Sequence, residues 1–412
     1  MATKHLFASG HTACAGCGQA IAARLVVDAA GPNVIIANST GCLEVFSNIY
    51  PRTAWEVPWI HSLFENPASV ASGVEAGLRY LGKLDKIRVI AQGGDGSSAD
   101  IGFQAISGMF ERGHDILYVC YDNGAYMNTG IQRSSQTPFD ANTTTTPPGS
   151  KSFGKTTPHK DLVRIFAAHD IPYSATASVA YPTDVQRKVK KALDIRGPKF
   201  LQIYVPCPLG WHHDPGLTYN IAQLVVETGL FPIVEYENGE LASVRTIKEP
   251  KPVEEYLKLQ GRFRHLFGTP EGEAEVKKIQ AIADANIRRL GLVKEQPKKE
   301  AAAAEPAAEE TAEKETPAEK ETPAEKPAEE EKVSELKKFT LEELAKFDGK
   351  EGRPAYVAYK GKVYDVSESA IWDEGDHLGM HEAGKDLTAE LEDAPHEEDN
   401  IFEMPLVGEL EG

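Results

Sequence analysis

Four of the five cysteines in this chain lie in three separate segments, which one fold must bring together if they serve one site. Cys14 and Cys17 form a Cys-x-x-Cys pair, Cys42 follows in a Thr-Gly-Cys turn, and Cys207 lies between two prolines. Four thiolates suit a 4Fe–4S cluster. A zinc site with the same four ligands is the alternative. Cys120 lies inside an apolar run and is predicted to be a buried structural thiol.

The sequence between these cysteines alternates short apolar runs with helical patterns. The runs predicted to be buried strands are Val34–Ala37, Ile87–Ala91, Ile116–Tyr121 and Phe200–Val205. The patterns predicted to be helices are Pro67–Leu81, Asp100–Glu111 and Asp184–Leu193. This alternation indicates an α/β fold, a doubly wound and mostly parallel sheet with helices on both faces. The 412 residues leave room for two or three domains.

The C-terminal part has a different composition. Residues 296–333 repeat Glu-Thr-Pro-Ala-Glu-Lys with almost no large apolar side chains, so we expect a disordered linker stiffened by proline. A compact segment then resumes, with Thr340 as a helix N-cap, Glu343 at the capping-box position, and a hairpin turning at Lys360 and Gly361. The predicted division is a catalytic domain over 1–295, a linker over 296–333, and a small α+β domain over 334–412. Residues 250–293 are predicted to be a helical extension at the end of the catalytic domain.

The charge of the chain is unevenly distributed. Almost all of the net charge of −18 lies beyond residue 295. An acidic balance argues against a nucleic acid partner. No stretch has the length and apolarity of a membrane span, and the first residues do not form an apolar signal segment. We therefore expect a cytoplasmic protein that binds neither nucleic acid nor membranes.

A glycine-rich turn follows the second predicted strand. Gly94, Asp95, Gly96 and Ser97 lie where that strand ends and a helix begins, so the backbone can approach phosphate oxygens. Asp95 adds a carboxylate for a magnesium ion, and Asn123 supplies a second oxygen after the next strand. The turn alone is equally compatible with an ordinary strand–turn–helix connection. Asn123 at this distance favours the cofactor site.

Together these motifs resemble the thiamine diphosphate-binding β subunits of the 2-oxoacid:ferredoxin oxidoreductase family. The similarity spans about residues 5–270, and the segments that carry it are His11–Gly18, Thr40–Val45, Trp55–His61, Gly94–Gly96, Tyr121–Ser134 and Pro206–Trp211. The resemblance implies a 4Fe–4S cluster on Cys14, Cys17, Cys42 and Cys207. It implies magnesium on Asp95, the side-chain oxygen of Asn123 and the Ala125 carbonyl. Residues implied to contact the cofactor are Gly94, Asp95, Gly96, Ser97, Asn123, Asn128 and Thr129.

The resemblance also implies a reaction. Pyruvate and coenzyme A give acetyl-CoA and CO2, thiamine diphosphate supplies the decarboxylation chemistry, and electrons pass through the cluster to ferredoxin; the residues are equally compatible with pyruvate synthesis. Asn128 lies beside the reacting centre, or else caps its own loop as a turn residue. The branched-chain enzyme acting on 2-oxoisovalerate shares these motifs and is the close alternative. A non-catalytic haem redox or sensor protein is the alternative from another class.

One departure bears on partners. Thiamine catalysis needs a glutamate that hydrogen-bonds the aminopyrimidine, and the matching region does not supply that motif. In split members of the family this glutamate comes from a partner subunit. We therefore expect partner subunits of the α, γ and δ types, and a chain that is inactive alone.

The C-terminal segment resembles the cytochrome b5-type haem/steroid-binding fold. The resemblance is carried by Phe339–Leu344, Lys362–Val366, His377–Gly379 and Ala383–Thr388. It implies haem b held from opposite sides by His377 and His396. The segment after His377 is shorter than is usual for the fold, which leaves His381 as a competing ligand. An interaction module with surface histidines and no haem is the alternative.

Overall fold

The computed structural model describes residues 5–293, 337–350, 353–367, 369, 372–373, 375–377, 381–388 and 404–410. The predicted linker over 296–333 lies outside these residues. The strands of the N-terminal part are β1 Val34–Asn38, β2 Trp59–His61, β3 Arg88–Gly94, β4 Ile116–Asp122, β5 Tyr173–Ser178, β6 Lys199–Tyr204, β7 Val234–Glu237 and β8 Glu240–Val244.

Helices lie before, between and after these strands. The α-helices are α1 Gly18–Ala30, α2 Cys42–Ser47, α3 Pro67–Tyr80, α4 Phe103–Glu111, α5 Leu162–Ala167, α6 Pro182–Asp194, α7 Pro208–Trp211, α8 Thr218–Glu227, α9 Val253–Lys258 and α10 Pro270–Leu290. A π-helical turn covers Gly96–Ile101, and 3-10 turns cover Pro215–Leu217 and Gly261–Leu266. No helix within the described ranges has both the length and the apolarity of a membrane span.

The eight strands form one sheet in the order β2-β1-β3-β4-β6-β5-β7-β8. The first six are parallel, and β7 and β8 join antiparallel at one edge. All seven residues of the central strand β4 are buried, as expected for a parallel strand covered on both faces. The predicted α/β class with a doubly wound, mostly parallel sheet is confirmed.

Each face of the sheet packs against its own layer of helices. On one face, alternate β4 residues such as Val119 and Tyr121 join a core with α1, α6, α8, α9 and α10. On the other face, Tyr118 and Cys120 join a core with α3, α4 and α5. Cys120 is fully buried there, as predicted. The layers leave the ends of the strands accessible, and this is where ligands bind in open α/β sheets.

One predicted helix begins later than expected. The pattern from Asp100 to Glu111 predicts a single helix, but α4 begins at Phe103 because the chain first makes the wider π-helical turn. The two meet at Gly102, where a Cβ atom would lie 2.6 Å from the backbone oxygens of Glu65 and Ser97. The close approach of two backbone segments therefore sets the start of α4.

The described part of the C-terminal domain is a small α+β unit, as predicted. Its elements are β9 Lys337–Phe339, α11 Leu341–Leu344, β10 Tyr356–Tyr359, β11 Lys362–Asp365, β12 Trp372–Asp373, β13 Asp376–His377, β14 His381–Glu382 and β15 Leu406–Leu410. Its sheets have the orders β10-β11-β15-β9 and β12-β13-β14. The predicted capping box of Thr340 and Glu343 is present at the start of α11. Lys360 and Gly361 both have positive φ at the predicted hairpin turn. Both predictions are confirmed.

Candidate cofactor and cluster site

The predicted site residues follow four neighbouring parallel strands. β1 leads into Cys42, β3 into Asp95, β4 into Asn123 and β6 into Cys207. These strands are adjacent in the order β1-β3-β4-β6. Because parallel neighbours end at the same edge of a sheet, residues more than 160 positions apart in sequence are brought to one place.

A pocket of about 440 Å³ opens at this edge. The predicted residues that line it are Cys42, Gly94, Asp95, Gly96, Ser97, Asn123, Ala125, Asn128 and Thr129. Sequence reasoning missed other lining residues, which are Gln19, Asn38, Ser39, Phe64, Tyr126 and Met127. Tyr126 and Met127 directly adjoin predicted residues, and Asn38 and Ser39 lie at the end of β1.

Three oxygen atoms meet at the base of this pocket. The side-chain oxygen of Asn123, as placed, lies 3.0 Å from Asp95 Oδ1 and 2.9 Å from the Ala125 carbonyl oxygen. Turning the amide over would instead let its nitrogen donate to both atoms. In the orientation shown, the three acceptors have no hydrogen between them, and a divalent cation is the species that such a set of oxygens holds. The donor set therefore fits magnesium.

Asp95 is held in place by a residue that sequence reasoning missed. The Ser134 hydroxyl donates to Asp95 Oδ2. Burial, together with the nearby carboxylate of Asp122, raises the pKa of Asp95 well above its ordinary value. A buried carboxylate of this kind is stabilised in its charged form by a bound cation. Ser134 lies in the Gln-Arg-Ser-Ser run, where the resemblance gave a motif but no role.

The glycines of the turn have different surroundings. A Cβ atom at Gly96 would lie 2.5 Å from the ring of Tyr126, whereas at Gly94 it would meet no atom within 4 Å. Gly96 therefore allows the turn to pack against Tyr126, and Gly94 leaves its side of the pocket open. The Ser97 hydroxyl donates to the Phe64 carbonyl at 2.7 Å, so it serves to anchor the loop before α3.

Backbone hydrogen bonds bring the three cysteine segments together. Thr12 N donates to Phe46 O at 3.0 Å, which ties the first segment to α2 and hence to Cys42. Gly18 N donates to Pro206 O at 3.2 Å, beside Cys207. Gly16 has φ of +67°, and a Cβ atom there would lie 2.4 Å from Pro215 O, so the Cys14–Cys17 loop fits against its neighbour only with glycine at this position.

The four thiols influence one another electrostatically. Burial, together with the nearby Cys207, Cys17 and Cys14, raises the pKa of Cys42 to about 12. Burial also raises the pKa of Cys207 to about 11, with Cys17 and Cys14 contributing. The structure thus brings the segments that carry the four cysteines close to one another. Within the described ranges, however, no three His, Cys, Asp or Glu side chains are close enough to share one metal ion.

The cysteine segments are joined directly to the magnesium-site loop. The indole N–H of Trp211, four residues after Cys207, donates to the Asn123 carbonyl at 2.6 Å. A Cβ atom at Gly210 would lie 2.3 Å from Met127 Sδ and 3.2 Å from Cys207 Sγ. The residues predicted to bind two different cofactors are therefore packed against each other.

The predicted haem ligands can be placed only in part. The backbone of His377 in β13 pairs directly with that of His381 in β14. His396 lies outside the described residues. His377 and His381 therefore remain the two candidates for the first haem ligand.

Two family models match this chain. The C-terminal domain of thiamine pyrophosphate enzymes, which binds that cofactor, matches residues 39–203. The cytochrome b5-like heme/steroid binding domain matches residues 340–411. The first range includes every predicted magnesium ligand, and the second includes the three candidate haem histidines.

Similar proteins cover the N-terminal part. The chain is 58% identical over 291 residues to a pyruvate synthase subunit PorB of Methanosarcina barkeri, which covers 71% of this chain and 98% of the relative. It is 56% identical to the corresponding subunit of Methanocaldococcus jannaschii, over 69% of this chain and 96% of the relative. It is 49% identical to a ketoisovalerate oxidoreductase subunit VorB of Pyrococcus abyssi, over 63% of this chain and 86% of that relative. Identity at this level over nearly the whole length of the first two relatives shows that the chain belongs to the family of pyruvate synthase subunits PorB, within the 2-oxoacid:ferredoxin oxidoreductases.

Proposed function

We propose that this chain is the β subunit of a pyruvate:ferredoxin oxidoreductase and that it binds both thiamine diphosphate and a 4Fe–4S cluster. The observation that carries the proposal is the convergence of three oxygen ligands and four thiols at one edge of the sheet, joined through Trp211 and Asn123. An electron acceptor packed against the site of carbon chemistry suits an oxidative decarboxylation.

Asp95, Asn123 and the Ala125 carbonyl would hold magnesium, and the turn from Gly94 to Ser97 would receive the diphosphate. Thiamine diphosphate supplies the electron sink that decarboxylation requires. The chain itself contributes the cation site, the open side of the pocket at Gly94, and Asn128, which is exposed and lines that pocket. We assign Asn128 to the binding of the substrate, and Thr129 to the loop that presents it.

Cys14, Cys17, Cys42 and Cys207 would bind the cluster. A zinc ion needs its ligands around one atom, whereas a cubane lies between more widely spaced thiolates. The thiamine diphosphate-binding match in the same domain favours the cubane, because an electron acceptor suits oxidative chemistry at that cofactor. The overall reaction is pyruvate, coenzyme A and two oxidised ferredoxins giving acetyl-CoA, CO2, a proton and two reduced ferredoxins, and it can run in either direction.

Activity is proposed to require partner subunits, because the thiamine-activating glutamate has no match in this chain. The test is to purify the chain alone and with co-expressed partner subunits. Both preparations receive thiamine diphosphate, magnesium, pyruvate and coenzyme A, and ferredoxin reduction is followed by absorbance. We expect activity only in the complex, and robust reduction by the chain alone would contradict the proposal.

The choice of 2-oxoacid needs its own experiment. Pyruvate is favoured by the greater identity to the PorB relatives, and 2-oxoisovalerate is the alternative that the VorB relative supports. A panel of 2-oxoacids assayed with the complex should give the highest kcat/KM for pyruvate. A preference for branched-chain substrates would reassign the subunit. A preparation that holds haem without thiamine diphosphate or iron and sulfide would instead support the sensor alternative.

For the C-terminal domain we propose haem b as the ligand. The cytochrome b5-like match supports it, with His377 and His396 as the proposed ligands and His381 as the alternative to His377. We further propose the division into 1–295, 296–333 and 334–412, and a cytoplasmic location. The 291 residues matched by the first relative leave more than a quarter of this chain for the linker and the small domain.

Haem ligation is tested in the full chain after reconstitution. The expected result is a Soret band of a six-coordinate low-spin haem, lost or converted to a five-coordinate spectrum in His396→Ala and in His377→Ala. His381→Ala is the matched control and should keep the wild-type spectrum. An intact low-spin spectrum in His396→Ala would reject bis-His ligation by His377 and His396.

A further inference from the structure

Arg262 is a buried cation packed against the two loops that carry the proposed cofactor sites. It lies in the 3-10 turn Gly261–Leu266, outside every motif that suggested the function, and its side chain is almost completely enclosed, with 2% exposed. Arginine stays protonated in proteins, so the fold keeps a full positive charge here. Burial of a charge is costly unless it is compensated.

The partners of Arg262 are neutral groups. Its Nη2 atom donates to the phenol oxygen of Tyr256 at 2.6 Å and to that of Tyr204 at 3.2 Å. Its Nε atom is buried without a hydrogen-bond partner among the described residues. Phenol oxygens accept hydrogen bonds but do not neutralise a charge, and the buried carboxylate of Asp122, which lines the same pocket, offsets that charge only in part.

The guanidinium contacts both site loops. Its Cζ atom lies 3.9 Å from the ring centre of Trp211, whose indole N–H holds the Asn123 carbonyl. A Cβ atom at Gly124 would lie 3.3 Å from Arg262 Nη1 and 3.2 Å from the Trp211 ring. The turn after Asn123 therefore rests on the stacked Arg262–Trp211 pair, and Trp211 also closes the short helix that begins after Cys207.

We propose that Arg262 is a positioning and tuning residue that raises the reduction potential of the cluster and holds Asn123 in place through Trp211. This inference rests on the proposed function, because it presumes the cluster and the magnesium site. A cluster gains negative charge on reduction, so a nearby buried cation favours the reduced form. The guanidinium stacks on Trp211, which ends the four-residue helix capped by Cys207, so the charge lies beside the segment that carries a proposed cluster ligand.

The test uses the holo complex with its partner subunits and three variants. Arg262→Gln removes the charge, Arg262→Lys keeps the charge but loses the flat stacking surface, and Arg264→Gln is the control on an exposed arginine two residues away. The cluster potential is measured by a redox titration followed by electron paramagnetic resonance. Thiamine diphosphate affinity is measured at fixed magnesium by fluorescence.

We expect Arg262→Gln to lower the potential and to weaken thiamine diphosphate binding about ten- to hundredfold, the range for residues that orient metal ligands. Arg262→Lys should keep the potential near the wild-type value and weaken binding, and Arg264→Gln should change neither. An Arg262→Gln complex with a full cluster and an unshifted potential would overturn the inference.

Two further experimental results have a defined interpretation. If the Arg262→Gln complex does not load a cluster, the Arg262→Lys complex decides the test. A wild-type cluster potential with weakened thiamine diphosphate binding supports the inference. A lowered cluster potential, or thiamine diphosphate binding as tight as in the wild type, overturns it. If the wild-type complex itself contains no 4Fe–4S signal, the proposed function is wrong, and that result is distinct from a failed inference.

Discussion

Asn123 is the residue at which the two proposed cofactor sites meet. Its side chain points at Asp95 and the Ala125 carbonyl, while its backbone oxygen accepts from the indole of Trp211. A single residue thus couples the position of the magnesium site to the segment that carries Cys207. The proposed metal ligands therefore depend on neighbouring residues that do not themselves bind the metal.

Ser134 is such a residue, and its role can be tested. Its hydroxyl donates to Asp95 Oδ2, so Ser134→Ala leaves the carboxylate without that constraint. We expect magnesium-dependent thiamine diphosphate binding to weaken about ten- to hundredfold, the usual cost of losing an outer partner of a metal ligand. The measurement is a fluorescence titration of the cofactor-free complex.

The neighbouring serine provides the control for this prediction. The Ser135 hydroxyl donates to Asp100 instead of Asp95, so Ser135→Ala should leave the affinity within a few-fold of wild type. Equal losses in the two variants would indicate a general disturbance of the loop, contrary to a specific role for Ser134.

At the scale of elements, an ionic cluster ties helix α6 to the antiparallel edge of the sheet. Glu235 in β7 accepts from Tyr173 in β5 at 2.7 Å and from Arg187 and Lys191 in α6 at 2.6 and 2.7 Å. Burial alone would raise the pKa of Glu235, but these hydrogen bonds prevail and lower it from 4.5 to about 2. The carboxylate therefore stabilises the fold in its charged form.

This cluster gives a prediction with a defined pH dependence. Because the folded-state pKa of Glu235 lies below its ordinary value, the stabilisation is complete above pH 4.5 and is lost as the pH falls toward 2. At pH 7, Glu235→Gln should lower the free energy of unfolding by about 1–3 kcal/mol. Urea unfolding of the cofactor-free chain should show a smaller difference at pH 3.

Glu237→Gln is the matched control, since Glu237 is 44% exposed and pairs with Lys191 at 2.8 Å. Exposed ion pairs contribute at most about 1 kcal/mol. The loss of unfolding free energy in Glu235→Gln could instead be the same at pH 7 and at pH 3. That result would show that hydrogen bonding, without the charge of Glu235, accounts for the effect.

The elements also show what the sequence could and could not predict. Continuous apolar runs identified β1, β3, β4 and β6, the four strands that carry the site, because parallel strands buried on both faces have a distinctive composition. β5 was missed since its residues, from Tyr173 to Ser178, mix Ser, Thr and Ala, and its burial is visible only in the fold. The β7–β8 hairpin was missed although Asn238–Gly239 is a strong turn signal.

The same division applies to the site. The candidate ligands that follow β1, β3, β4 and β6 could be named from the sequence because their residue types reflect chemistry that is local to each strand end. Ser134 and Arg262 could not, because their roles arise from contacts between distant segments. Arg262 reaches Trp211 from 51 positions away, and no periodicity or motif in Gly-Arg-Phe-Arg-His marks it.

At the scale of the whole molecule, the C-terminal part is predicted to be dispensable for the core reaction. The match of 291 residues covers 98% of the first PorB relative, so that relative is complete without a counterpart of the small domain. A chain ending at residue 295, co-expressed with partner subunits, should keep its iron, its thiamine diphosphate binding and most of its ferredoxin reduction, and it should lose haem.

The position of the cut matters for this experiment. Leu292 is fully buried, and its carbonyl accepts from Ile247 N at 2.6 Å. A chain ending at residue 289 should therefore be less stable than one ending at 295, as measured by its melting temperature. Loss of iron or of ferredoxin reduction in the longer truncation would show that the small domain takes part in the core reaction.

The pairing of the Cys14–Cys17 loop with the segment after Pro206 sets an order of events during synthesis. A ribosome adds about 5–20 residues per second, so the first two thiols wait roughly 10–40 seconds before Cys207 exists. During that interval the N-terminal pair is an incomplete site, open to oxidation and to the wrong metal. The proposed cluster could therefore be completed only after Cys207 has been synthesised and the sixth strand has entered the sheet.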